Sequence, residues 1–429
     1  MAPLSHRRRR LCQRDNVRTM TQACSDRPDA TPPLASTGPL AGLKVLELGQ
    51  LVAGPFAGKT LADFGADVIK IEPPGAGDPL RQWRLLHDGT SVWWQVQSRN
   101  KRSVVLGLRS EAGRADVRRL AAHADVLIEN FKPGTMEKWG LGYEVLAAAN
   151  PGLVMLRISG YGQTGPYRDL PGFAVVAEAM GGLRHLMGEP GRPPVRAGVS
   201  LGDTLAALHG VIGVLLALQA RQHSISAEAP KGRGQVVDVA LYEAVFNCME
   251  SLLPEYSAFG VVRQPAGSAL PGIAPSNAYR CADGQVVIGG NGDSIFKRLM
   301  AAVGRTDLAD DPGLANNAQR AARVDELDAA ITRWTVQHSV AEVVSRLQAA
   351  SVPVGRIYTV ADIAVDPHFL ARGMVQRIVI AGGLGLDVPG VVPLLSATPG
   401  GLRTPASALG EHSEAVRVAL QHAAGWPLP

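Results

Sequence analysis

The spacing with the clearest chemical meaning lies in GYGQTGP, Gly160 to Pro166, where glycines at 160, 162 and 165 spell G-x-G-x-x-G. Such a loop cradles a dinucleotide pyrophosphate when a helix starts inside it, so that N–H groups face the phosphates, and when an acid about 20 residues on grips the ribose. Neither condition holds. Pro166 follows at once, YRDLPG continues as loop, and no following strand ends in such an acid. The earlier strand-to-helix turn, GQLVAGP, lacks the glycine triplet. NAD and FAD are therefore poor candidates, although glycines still let a loop lie against some other ligand. The four cysteines, Cys12, Cys24, Cys248 and Cys281, show no C-x-x-C or histidine spacing, which points to no metal site and no disulfide framework and suits a reducing cytoplasm. His209, inside an apolar stretch, reads as a core histidine.

The elements that must position such a loop alternate regularly. LKVLEL reads as a strand, Gly54-Pro55 closes a turn, FAGKTLADFG reads as a helix with Pro55 in its first turn, and ADVIKIE as the next strand. The unit recurs: KRSVVLGL, a helix EAGRADVRRLAAHA capped by Ser110, ADVLIENF, a helix YEVLAAAN and the strand LVMLRIS. Alternation of this length predicts an α/β fold with a mainly parallel, Rossmann-like sheet in a large domain. Residues 38–220 are expected to form its first part and 221–231 a linker. A smaller α+β domain is expected over 232–350, with a hairpin through Asp283-Gly284, and 351–429 to return to the large domain. Residues 1–37, rich in Arg, Pro, Ser and Thr without an apolar core, are expected to be disordered and not a secretory signal.

Composition narrows the class. The 429 residues are 46% apolar, enough for a substantial core. The net charge of +5 owes much to Arg7 to Arg10, and the remaining cations are mixed with acids, so nucleic acid is not an expected partner. The longest apolar run, Leu205 to Ala220, is broken by His209 and falls short of the roughly 18–20 residues of a membrane span, so no membrane is expected either.

Several long segments, in order, carry a resemblance: PLAGLKVLELGQLVAGPFAGKTLADFGADVIKIEPPGAGD, SRNKRSVVLGL, ADVLIENFKPGTMEKWGLGYE, LVMLRISGYGQTGPY and GRGQVVDVALYEAV. Together they resemble the family III CoA-transferases of the CaiB/BaiF type, and among these most the succinyl-CoA:glutarate and formyl-CoA:oxalate CoA-transferases. The resemblance implies an interlocked homodimer with an acyl-CoA and a carboxylic acid as substrates. The CoA thioester would be a substrate and no cofactor would stay permanently bound. It also implies that the glycine loop closes over the thioester. CoA would be met by Leu51, Asn100, Lys101, Asn130, Phe131, Lys132 and Lys138. Where some relatives have an arginine after KIE this chain has Pro73, so a phosphate contact is lost or supplied by Arg81 or Arg84. A distal carboxylate on the acyl group would be recognised by Arg157, Arg168 or Arg184.

The same resemblance implies an aspartate nucleophile at position 174, where this chain has Ala174. A methyl group cannot attack a thioester. Three readings stay open: a substitution introduced into the chain, a natural branch in which another carboxylate serves, or a non-catalytic CoA-binding subunit of a mixed dimer. For the second, Glu178 lies one helical turn further on the same face, and Asp203 is a more remote choice. An α-methylacyl-CoA racemase, the remaining alternative, needs a His–Asp pair, against which Phe173-Ala174 argues.

Overall fold

Six strands begin where short Val/Ile/Leu-rich runs meet Gly/Pro turns: β1 (Lys44–Glu47), β2 (Asp67–Glu72), β3 (Lys101–Val105), β4 (Val126–Glu129), β5 (Val154–Ser159) and β6 (Val236–Ala240). In the computed structural model, which describes residues 38–422 and 425–427, they form one sheet in the order β3-β2-β1-β4-β5-β6. Every neighbouring pair is parallel. Consecutive runs leave β1 first toward one edge and then toward the other, so the sheet reverses between β1 and β4. A doubly wound sheet binds ligands at that reversal, outside the carboxyl ends of the strands.

Both faces are covered. The helices α1 (Ala53–Asp63), α2 (Glu111–Ala121), α3 (Tyr143–Ala149), α4 (Ala174–Met180), α5 (Leu201–His223) and α6 (Leu241–Phe246) follow in chain order. One core layer joins Val45, Ile128 and Leu156 of the sheet to Leu61 of α1 and Val214 of α5. The other joins Leu46, Ile69 and Met155 to Val117 and Leu120 of α2. Ser110 caps α2 as expected, its Oγ accepting from Gly113 N at 3.1 Å. The tail also enters this layer through Val416 and Trp426.

Two boundaries differ from expectation. The sequence places VVDVA, after Gly232, in the small domain, yet it is β6 and pairs with β5 from Met155↔Val236 to Ser159↔Ala240. An apolar five-residue run carries no mark of which sheet it will join; only the free edge of β5 decides. The smaller unit instead builds on strands β7 (Ser276–Arg280), β8 (Gln285–Gly289) and β9 (Val354–Arg356), in the order β9-β8-β7, with the expected hairpin between β7 and β8. Phe296, Leu299, Ile331 and Leu347 pack beneath it. The second difference is α5. Its 23 residues make it long and apolar enough to cross a membrane, because the helix starts at Leu201 and runs to His223, past the apolar run itself. Its Ala206, Ala207, Gly210, Val211 and Val214 face is buried, while Leu208, Ile212 and Leu216 are exposed. The expected disorder of 1–37, with Cys12 and Cys24, falls outside the described residues.

Candidate active site

After β1 the chain must turn sharply into α1, and a buried polar frame fixes how. Gly49 and Gly54 touch: a Cβ on Gly49 would lie 2.9 Å from the Cα of Gly54. Leu51 is held at φ +65°, a left-handed conformation that costs a non-glycine residue on the order of 1 kcal/mol or more. Its N–H donates to Asp78 Oδ1 at 3.1 Å. Asn130, at the end of β4, completes the frame by accepting from Gln50 N at 2.7 Å and donating back to Gln50 O at 2.8 Å. Leu51 and Asn130 are thus brought together at the reversal of the sheet, Leu51 as wall and Asn130 as brace.

Beneath the turn lies a buried charge network. Lys70 Nζ sits 2.9 Å from Asp78 Oδ2 and 3.2 Å from Glu47 Oε1, and donates to Gly49 O. Burial disfavours its ammonium, but the carboxylates of Asp78, Glu47 and Glu72 outweigh that and hold its pKa above the ordinary value. Lys101 Nζ lies 2.7 Å from Glu47 Oε2 and donates to Pro55 O at 2.7 Å. Burial pushes its pKa down to about 8. Lys101 is therefore a bolt under α1.

Asn100 is likewise engaged within the chain. Its Nδ2 donates to Asp63 Oδ1 at 2.8 Å and Gly401 O at 2.9 Å, and its Oδ1 accepts from Arg403 N and Thr404 N. With its amide so occupied it ties the returning tail to α1, and it lines, with Lys101 and Arg403, a cleft separate from Leu51 and Asn130. Arg81 is also spent, forking onto Glu72 at 2.7 and 2.8 Å. Arg84 is exposed and stacks over Trp93 at 4.6 Å. Past β4, Phe131 is half-buried edge-on against Trp139, while Lys132 and Lys138 are exposed and make no ion pair among the described residues.

A cavity of about 340 Å³ opens at the carboxyl ends of β1, β4, β5 and β6, lined by Leu51, Asn130, Ser159, Gly160 and Leu241, with Trp83, Phe173 and Ala174. The glycine loop is pinched shut behind it. A Cβ on Gly160 would meet the Cα of Gly172 at 2.8 Å, and Gly162 N donates to Ser159 Oγ at 3.0 Å. No helix starts within the loop; the next one begins at Ala174, beyond Pro171-Gly172. This geometry offers a strand-end wall and not a helix N-terminus to whatever lies in the cavity.

Ala174 is the first residue of α4, buried, with its backbone against Gly202 of α5. Glu178, one turn on, is 1% exposed; its Oε2 accepts from Arg184 at 2.9 Å and its Oε1 from Gly202 N at 3.4 Å. Asp203 lines the cavity from the first turn of α5. Burial raises its carboxyl to about 6, the negative charge of Glu178 adds to the rise, and Arg196 opposes it. Ala174 and Glu178 of α4 and Asp203 of α5 thus form one neighbourhood. Of the candidate arginines, Arg157 is locked between Glu129 and Glu137 at 2.7 Å each, Arg184 holds Glu178, and Arg168 lies in the glycine loop beside Asp169 at 3.8 Å. Arg196, Ser200 and Trp83 line the cavity without having been singled out from the sequence. The signal for them was faint: Arg196 and Ser200 flank only the start of a long apolar helix. No cluster of three metal-ligating side chains gathers among the described residues.

The family model of CoA-transferase family III matches residues 40–413. The chain belongs to CoA-transferase family III. Among curated relatives of this family III chain, the succinyl-CoA–D-citramalate CoA-transferase of Chloroflexus aurantiacus is 48% identical over 380 residues, 88% of this chain and 93% of the relative. The alpha subunit of the succinyl-CoA–L-malate CoA-transferase from the same species is 42% identical over 87% of this chain and 88% of its own length. Among solved structures, a CaiB/BaiF family protein from Brucella suis superimposes with a TM-score of 0.77 at 37% identity, covering 90% of this chain and all of that one. An aspartate-to-alanine mutant of a Mycobacterium tuberculosis protein gives 0.77 at 30% identity, over 88% and 98%. The fold expected for this family III CoA-transferase, a parallel α/β sheet with a smaller antiparallel unit, is the one observed.

Proposed function

We propose that the protein transfers CoA from a dicarboxylic thioester, succinyl-CoA, to a short carboxylic acid of the malate or citramalate kind, using Glu178 as its nucleophile. The observation that carries this reading is that Ala174 and Asp203 line one cavity while the Glu178 carboxylate lies directly behind it, beside Gly202: a methyl stands where a family aspartate is expected, and a carboxylate lies one turn further on. The names of the relatives supply the substrate class.

In this mechanism the Glu178 carboxylate swings from Arg184 and attacks the thioester carbonyl, expelling CoA thiolate and leaving a mixed succinyl–glutamyl anhydride. The thiolate then attacks the glutamyl carbonyl, releasing succinate and leaving a glutamyl-CoA thioester. The acceptor carboxylate attacks that thioester, and the freed thiolate attacks the acceptor carbonyl of the second anhydride, regenerating Glu178. Atoms and charge balance at each step without a redox partner. Lys132, Lys138 and Arg84, exposed and unpaired, suit the CoA phosphates as cations. A second copy of the chain covers the exposed Leu208, Ile212 and Leu216 in an interlocked homodimer, in which α5 is not a membrane span, and the free Cys248 and Cys281 suit a cytoplasmic protein.

Incubation with labelled succinyl-CoA and a panel of acids tests transfer. Hydroxylamine trapping should place the modified residue in the peptide holding Glu178. Glu178→Gln should abolish turnover; full turnover in that variant removes Glu178 from the mechanism. Binding of CoA with no transfer would favour the non-catalytic subunit reading.

A further inference from the structure

We infer that Arg196 recognises the distal carboxylate of the transferred acyl group, and so selects a dicarboxylate; this rests on the CoA-transfer reading and adds the subsite that sets its specificity. Among the residues lining the cavity only Arg196 and Asp203 carry charge. The remainder are apolar side chains such as Leu51, Trp83 and Phe173, glycine backbone, and the neutral groups of Asn130, Ser159 and Ser200. A carboxylate drawn into such a lining loses water and needs a cation or several donors in return. Arg157 and Arg184 do not line the cavity and already hold carboxylates, and Arg168 does not reach it.

Arg196 differs from all three. It makes no ion pair or hydrogen bond among the described residues, although its charge acts on the Asp203 carboxyl. A guanidinium free of partners at a cavity wall can grip a carboxylate with two parallel N–H donors, where a lysine would offer a single point charge. The Ser200 hydroxyl on the same wall can supply a third donor. An uncharged acyl chain of the same length would leave that guanidinium unmatched.

The first half-reaction isolates this subsite: release of labelled acid from succinyl-CoA or from butyryl-CoA by the full chain, with no acceptor present. Wild-type protein should prefer succinyl-CoA. Arg196→Gln should slow succinate release about 100-fold, the worth of a charged hydrogen-bonded contact, and change butyrate release by less than about threefold. Arg196→Lys should recover part of the succinyl-CoA rate, and unchanged thermal melting of both variants confirms folding. Equal losses on the two donors, or equal wild-type rates on both, overturn the role of Arg196 alone. Release of neither acid by the wild type overturns the CoA-transfer reading and this subsite with it.

Discussion

Gly202 of α5 rests directly on Ala174 of α4: a Cβ built on Gly202 would lie 3.2 Å from the Ala174 carbonyl oxygen and 3.4 Å from its methyl. The same glycine donates its N–H to Glu178. One residue therefore sets both the approach of the two helices and the place of the buried carboxylate. Gly202→Ala should press α4 outward, with a stability loss of about 1–3 kcal/mol, the usual range for overpacking. Displacing Glu178 should also lower kcat by about tenfold with little change in KM. Denaturant melts and steady-state rates check both; a variant with wild-type kcat would show that this contact does not place the reacting group.

Asp203 should make the protein more sensitive to rising pH. Its folded pKa, raised by burial from 3.8 to about 6, means that the folded state holds a proton the unfolded state gives up. Stability from this group is then full below about pH 4 and lost as pH climbs through about 6. The full shift corresponds to roughly 3 kcal/mol, and partial solvent access reduces it to about 1–2 kcal/mol. Asp203→Asn should accordingly be more stable than wild type at pH 7.5, with the gap narrowing toward pH 4. A gap independent of pH in urea unfolding would contradict the buried-carboxyl account.

Lys101 and Lys132 should behave as different kinds of cation. Lys101→Met leaves Glu47 short of a buried partner and should cost about 3 kcal/mol of stability. Because Lys101 is buried under α1, the variant should weaken succinyl-CoA and its 3′-dephospho analogue by the same factor. Lys132→Gln should leave stability within about 0.5 kcal/mol of wild type, as surface changes do. It should raise KM for the CoA thioester through a lost phosphate contact. Parallel melting and KM measurements separate a bolt from a ligand.

The exposed stripe on α5 should govern assembly. Ile212 and Leu216 lie four apart on one helix face, 55% and 65% exposed. Ile212→Asp with Leu216→Asp should shift the mass measured by light scattering from twice that of the chain to that of one chain. A double variant that remains dimeric would move the interface elsewhere.

Much of this molecule is set by local sequence. Short continuous apolar runs, the Ser110 cap, Pro55 in a first turn and the Asp283-Gly284 hairpin each act over a few residues, so the alternating α/β order was readable before any fold. The failure of GYGQTG as a dinucleotide cradle was equally local, since Pro166 forbids the helix that a cradle needs. The wall residues Leu51 and Asn130 were legible through long motifs, although their hydrogen bonds were not. What tertiary structure alone decided were the choices between equivalent partners. The resemblance names Asn100 and Lys101 as CoA contacts, and nothing local in their charge or polarity reveals that Asp63, Glu47 and a tail some 300 residues away will bond to them. VVDVA joined the large sheet because β5 offered an edge. Arg196 stood out only once Arg157, Arg168 and Arg184 had found their carboxylates, for a cation is free or bound according to what the chain's other parts bring to it.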